Sequence, residues 1–264
     1  MRFAEVNGIT LHYGRAGSES NPAVVFINSL GTDFRIWQTV AAGLVSDYQV
    51  ILYDKRGHGL SESPLEPCEM ADHVRDLLGL LDHLDIHSAV FCGVSVGGMI
   101  AQGLAAVRPE RANALVLCDT AQVIGPEGMW DHRIATVERE GLEGIADSVM
   151  ERWFSPGFRE RERVTLTGYR NMFCRTPVEG YCATCLAIRD ADYTVSSSML
   201  RMPVLCICGQ DDGATPPEMV RGLAALVPDA RFELIPQCGH LPSVEQPSML
   251  LNHLRNFMEA NGIA

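Results

Sequence analysis

One serine, Ser95, stands in "GVSVGG" with small residues on both sides. A serine that merely capped a helix would not need glycine before and after it. A hydroxyl is a weak nucleophile until a base takes its proton, and the base must be held in one tautomer. Imidazole and carboxylate suit those roles, and both occur after short apolar runs late in the chain. "CICGQDDGATPPE" offers Asp211 and Asp212, and "LIPQCGHLPSVEQP" offers His240 in a glycine-flanked loop. Asp212 is the better candidate, since G-x-x-D followed by a Thr-Pro turn is the common form; Asp211 then becomes a solvent-facing turn residue. Charge developing on an attacked carbonyl oxygen needs two fixed N–H donors. The N–H of Val96 would supply one, and that of Leu30, in "NSLGTD", the other. The remaining histidines (His12, His58, His73, His83, His87, His132, His253) lack a matching context and read as surface or core residues.

These residues need elements to hold them. "CGVS" ends an apolar run and "VGGMIAQGLAA" opens a helical pattern, the strand–turn–helix setting in which G-x-S-x-G has meaning. The runs Ala23–Ser29, Tyr48–Asp54, Ser88–Ser95, Ala112–Asp119, Val204–Gly209 and Arg231–Pro236 are dense rather than alternating. That pattern predicts strands covered on both faces, as in a parallel sheet. Asn7-Gly8 between alternating runs predicts a hairpin before them. Val74, Leu77, Leu78, Leu81 and Leu84 mark a helical stripe, as do Met249, Leu250, Leu254, Phe257 and Met258 near the end. Strand and helix in alternation predict a doubly wound α/β sheet. From 121 to 195 the rhythm stops and only helical stretches follow, so the division expected is a core of 1–120 and 196–264 with a helical cap at 121–195. "FRERERV" in the cap reads as a solvated helix face. "YDKRGHGLSES" reads as a structural turn holding neighbouring loops.

Composition narrows the function. The chain has 264 residues, 47% of them hydrophobic, enough for one large α/β domain. A net charge of −12 argues against nucleic acid as a partner and demands a local cation for any anionic substrate. No apolar run reaches the roughly eighteen residues of a membrane span, and no export signal is evident at the start. Nine cysteines, several inside apolar runs, suit buried reduced thiols and a cytoplasmic location. "YCATC" is a lone C-x-x-C without further ligands at zinc spacing, and no phosphate or dinucleotide motif is present, so neither metal nor cofactor is expected. A homo-oligomer is compatible with this composition.

Together "GVSVGG", "DKRGHGLS", "GQDDGATPP" and "CGHLPSVEQP" resemble the α/β-hydrolase superfamily along essentially the whole chain. The resemblance implies an eight-stranded, mostly parallel sheet with helices on both faces and an all-helical lid inserted after strand six. "NSLGTDFRIW", "ERWFSPGF" and "TPVEGYCATCLAIRDAD" are similar to the 3-oxoadipate enol-lactonases, with one departure at Val96, where those enzymes often carry methionine. That family's activity would be opening of an anionic enol lactone of aromatic catabolism to 3-oxoadipate, through an acyl-enzyme on Ser95. The acetate arm of such a substrate needs a cation. "MWDHR" offers Arg133 for it, with Trp130 one turn earlier as an apolar wall. A surface arginine beside a core tryptophan is the plainer reading of the same pair. Other readings on this scaffold are a general carboxylesterase or lactonase, a meta-cleavage carbon–carbon hydrolase and a cofactor-free perhydrolase. A ligand-binding module built on a retired hydrolase fold is a further one, against which the full set of catalytic residues argues.

Overall fold

β1 (Arg2–Val6) pairs antiparallel with β2 (Ile9–Ala16), with Val6 opposite Ile9 across the expected turn. Asn7 and Gly8 both take positive φ, 48° and 77°, the handedness that two-residue hairpins require. The protein is described from a computed structural model covering residues 1–63 and 67–263.

The six dense apolar runs form the rest of the sheet: β3 (Ala23–Ile27), β4 (Gln49–Tyr53), β5 (Ala89–Val94), β6 (Ala112–Cys118), β7 (Val204–Gly209) and β8 (Arg231–Ile235). The eight strands lie in the order β1-β2-β4-β3-β5-β6-β7-β8. β2 joins β4 antiparallel, and every pairing from β4 to β8 is parallel. β3, β5 and β7 are buried at every residue, which explains their continuous hydrophobicity.

β3 pairs with β4 on one side and β5 on the other, so the chain reverses its winding direction there. Such a switch point opens a crevice beyond the carboxyl ends of the strands, where ligands bind in this architecture. The register is level: Ile27 lies beside Tyr53 and Gly93, and Val94 beside Cys118. Asn28, Asp54, Ser95 and Asp119 therefore emerge along one edge.

α1 (Gln38–Ala42) packs with α12 (Pro247–Ala260), and α2 (Met70–His83) with α3 (Val96–Val107). α2 buries Val74, Leu77, Leu80 and Leu81, with Leu78 only half-buried. α12 buries Leu250, Leu254, Phe257 and Met258. α10 (Pro217–Leu226) covers β7 and β8. Between β6 and β7 the chain is wholly helical: α4 (Glu127–Glu140), α5 (Glu143–Trp153), α6 (Pro156–Arg161), α7 (Arg163–Cys174), α8 (Val178–Arg189) and α9 (Thr194–Ser197). α4 packs on α5 and α8, and α5 on α7. The charged run 158–164 spans the break between α6 and α7, exposed except at Phe158 and the half-buried Arg159. The nine cysteines are free thiols, all buried but Cys174. No helix among the described residues is long and apolar enough to cross a membrane.

Candidate active site

Ser95 occupies the turn between β5 and α3 with φ 59° and ψ −121°, a backbone region that side chains rarely adopt. The turn persists because its surroundings leave no alternative. Ser95 N–H donates to Cys118 O at 3.0 Å, and Thr120 Oγ1 donates to Ser95 O at 2.6 Å. A Cβ on Gly93 would strike the backbone of Gly97, and one on Gly97 would strike the Ile27 carbonyl. These contacts explain the small residues around the serine.

His240 Nδ1–H donates to Asp212 Oδ2 at 2.9 Å, both side chains being buried. Asp212 accepts three more bonds: from Ala214 N (2.7 Å) and Thr215 N (3.1 Å) on Oδ1, and from Thr215 Oγ1 (2.7 Å) on Oδ2. Burial alone would raise its pKa, but His240 and these donors outweigh burial and hold the carboxyl below its ordinary value. Asp211 is exposed. Among the described residues, His240 Nε2 bonds to Ser29 Oγ at 3.4 Å rather than to Ser95. Bonds of this kind commonly tighten only when substrate is present.

Val96 is the first residue of α3, where an N–H has no acceptor inside the helix. Leu30 follows β3 in a tight turn closed by Thr32 N–H and Thr32 Oγ1, both donating to Ser29 O. Among the described residues the Leu30 N–H has no acceptor. The turn is braced by two side chains of the "YDKRGHGLSES" segment, neither of which had this role individually from the sequence. Buried Lys55 donates from Nζ to Ser29 O at 2.6 Å, and Gly31 N–H donates to His58 Nε2 at 2.9 Å. His58 must then carry its proton on Nδ1, 3.2 Å from Arg56 O. Burial and the Lys55 charge push its pKa well below the usual value, in keeping with a neutral ring. Asp54 accepts from Phe34 N and Leu60 N and pairs with His12, the loop-holding role expected of "YDKRGHG".

Ser95, His240, Leu30 and Ser29 share a cavity with Trp130, Arg133, Arg152 and Tyr181. It holds about 30 Å³, room for a water or two, so a larger ligand must displace side chains or the helical cap. Trp130 Nε1 donates to Ile124 O at 2.6 Å, and the Arg133 guanidinium lies 5.1 Å from the Trp130 ring. Arg152, not singled out in the sequence, brings a second guanidinium; its Nε donates to Gly213 O at 3.1 Å. Burial and the neighbouring charge of Arg133 push its pKa down. Among the described residues, no aspartate or glutamate lines this cavity. A roomier cavity of about 540 Å³ lies elsewhere, lined by His12, Asp33, Arg35 and Asp54. His12 Nδ1 is hydrogen-bonded to Asp54 and Arg35 is paired with Asp33, and Ser95 does not line this space.

The cap is stitched to both late loops by its segment 152–155. His240 N donates to Trp153 O at 2.7 Å, and Gly213 N to Arg152 O at 3.1 Å. Glu245 Oε1 accepts from Gly239 N at 2.8 Å, and its Oε2 from Ser155 Oγ at 2.6 Å.

This sheet, with its strained serine at the end of β5 and its buried His–Asp pair, defines a hydrolase scaffold. The chain belongs to the alpha/beta hydrolase family, whose profile matches residues 24–252. It is 36% identical over 245 residues to 3-oxoadipate enol-lactonase 2 of Acinetobacter baylyi, spanning 93% of this chain and 91% of that one. With 3-oxoadipate enol-lactonase 1 of the same organism it shares 33% over 253 residues, 96% and 94% of the two chains. The crystal structure of the enol-lactonase from Burkholderia xenovorans superposes with a TM-score of 0.95 at 36% identity, covering 98% of this chain and all of that one.

Proposed function

We propose that this protein hydrolyses 3-oxoadipate enol-lactone to 3-oxoadipate, with Ser95 as nucleophile, His240 as base and Asp212 as the acid that orients it. One observation carries the choice of an anionic lactone over a neutral ester. In a chain of net charge −12, the cavity at Ser95 is lined, among the described residues, by two arginines and no carboxylate. Such a site favours a small molecule with a carboxylate arm, and the arm would pair with Arg133 and Arg152. The names of the two curated relatives and of the solved enol-lactonase agree with that reading.

The chemistry follows from the placement of the groups. Ser95 Oγ attacks the ring carbonyl as its proton passes to His240 Nε2, and Asp212 stabilises the resulting imidazolium. The oxyanion lies between the N–H groups of Leu30 and Val96. The ring C–O bond then breaks, and the leaving enolate oxygen takes the proton from His240. Ketonisation of that enol makes ring opening effectively irreversible. A water deprotonated by His240 attacks the acyl-enzyme and releases the second carboxylate, restoring Ser95.

The test is to follow loss of the enol lactone's ultraviolet absorbance. Ser95→Ala should abolish it. Arg133→Ala and Arg152→Ala should each raise KM for the lactone about tenfold or more, while a neutral 4-nitrophenyl ester changes by less than about twofold. Equal losses on both substrates, or an unchanged KM for the lactone, would return the protein to the general carboxylesterases.

A further inference from the structure

Behind the His240–Asp212 pair lies a second carboxyl group. Asp119 follows β6 directly, with a left-handed backbone (φ 45°) and no exposure to solvent. Its Oδ1 accepts from Gly209 N–H at 2.8 Å. Its Oδ2 is buried with no hydrogen-bond partner among the described residues. One oxygen each of Asp119 and Asp212 and the Cys208 sulfur lie within 4.8 Å of one another.

The groups facing Asp119 are Asp212 from the loop after β7, Cys208 from β7, Cys118 from β6 and Cys238 from the loop after β8. None of them is a cation. The Cys208 thiol already faces the Gly209 and Thr215 carbonyls, at 3.2 and 3.7 Å. Two full negative charges cannot share so dry a spot, so one carboxyl keeps its proton. Four hydrogen bonds, one of them from the His240 imidazole, favour the charged form of Asp212, whereas Asp119 has a single N–H. Burial and the Asp212 charge push the Asp119 pKa well above the ordinary carboxylate range.

We propose that Asp119 is a positioning residue: a neutral carboxylic acid whose Oδ2–H donates to the carboxylate of Asp212 and fixes its plane against His240. The orphaned oxygen thereby gains a partner, and Asp212 gains a further donor. This rests on the reading of Asp212 as the acid that orients His240.

Asparagine at 119 keeps both contacts, its oxygen for Gly209 N–H and its amide N–H for Asp212; alanine keeps neither. The infrared spectrum of the wild-type protein at neutral pH should show a carboxylic-acid C=O stretch, shifted in heavy water, that Asp119→Asn lacks. With the enol lactone, Asp119→Ala should lower kcat about tenfold with KM little changed, the worth of one hydrogen bond to a charged group, and Asp119→Asn should recover most of it. The rate of Ser95 labelling by a fluorophosphonate should follow the same order without reference to the natural substrate. An infrared spectrum unchanged by Asp119→Asn would overturn the proposal, since Asp119 would then be ionised. So would full turnover in Asp119→Ala, or an equal fall in both variants. If alanine prevents folding, the infrared band and the asparagine variant's turnover still decide. A wild-type Ser95 that is not labelled would instead sink the underlying assignment of Asp212, while the band alone would report the state of Asp119.

Discussion

The bond from His240 Nδ1–H to Asp212 Oδ2, at 2.9 Å, selects one imidazole tautomer and leaves Nε2 as the unprotonated ring nitrogen that the proposed mechanism uses as base. Asn at 212 would turn an amide N–H toward Nδ1 and favour the opposite tautomer. Asp212→Asn should therefore lower kcat on the order of 10⁴-fold, the size of effect seen when a triad carboxylate is neutralised in this way. The fold should survive, because the backbone N–H bonds from Ala214 and Thr215 can still be accepted by the amide oxygen. Steady-state kinetics alongside a circular-dichroism melt would separate the two effects, and turnover within tenfold of wild type would remove Asp212 from the mechanism.

Among the elements, the contact that matters most joins the cap to the His240 loop. Glu245 lies at the end of α11 (Pro242–Glu245) and accepts from Gly239 N–H and from the backbone and hydroxyl of Ser155. Burial raises its pKa against the pull of those bonds. Removing the carboxylate leaves the N–H groups of Gly239 and Ser155 without acceptors where water has little access. Glu245→Ala should cost about 1–3 kcal/mol in chemical denaturation, and kcat should fall because His240 is one residue from the loosened bond. A variant with wild-type stability and rate would show that the cap and the His240 loop are held by the remaining backbone bonds alone.

For the molecule as a whole, acid stability should be governed in large part by buried neutral histidines. His58 and His73 are fully buried; burial and the Lys55 charge push His58 well below its ordinary pKa and His73 down to about 3. Both pKa values are depressed on folding, so below the unfolded value of about 6.5 the unfolded chain binds more protons than the folded one. Their contribution is present above that pH and is lost as pH falls, at up to about 1.4 kcal/mol per pH unit for each ring. Denaturant melts between pH 7 and 5 should show stability dropping, and His73→Leu should reduce the slope by about one ring's share. Parallel curves for the two proteins would refute the assignment of His73.

The sequence by itself determined the strands, the hairpin, the span of helices and the fold family. Each depends on local pattern: apolar runs with period below that of a helix, Asn-Gly where φ must be positive, and glycines where a turn forbids a Cβ. It also named Ser95, Asp212, His240, Leu30 and Val96 as candidates, because a loop just past a strand end is visible from that strand's own residues, and Trp130 and Arg133, on α4, because the resemblance implied a substrate that needs a cation. Only the tertiary structure decided which groups face them. Lys55 and His58 brace the Leu30 turn, Arg152 enters the Ser95 cavity beside Arg133, and Asp119 sits behind Asp212. Arg152 and Asp119 carry no local signal, since an arginine before a tryptophan or an aspartate ending a strand is ordinary in sequence, whereas Lys55 and His58 fall in the segment read as a loop-holding turn, with no role given to either side chain. Their roles arise where separate strand ends meet at the edge of the sheet, and long-range contact and burial are not written in spacing.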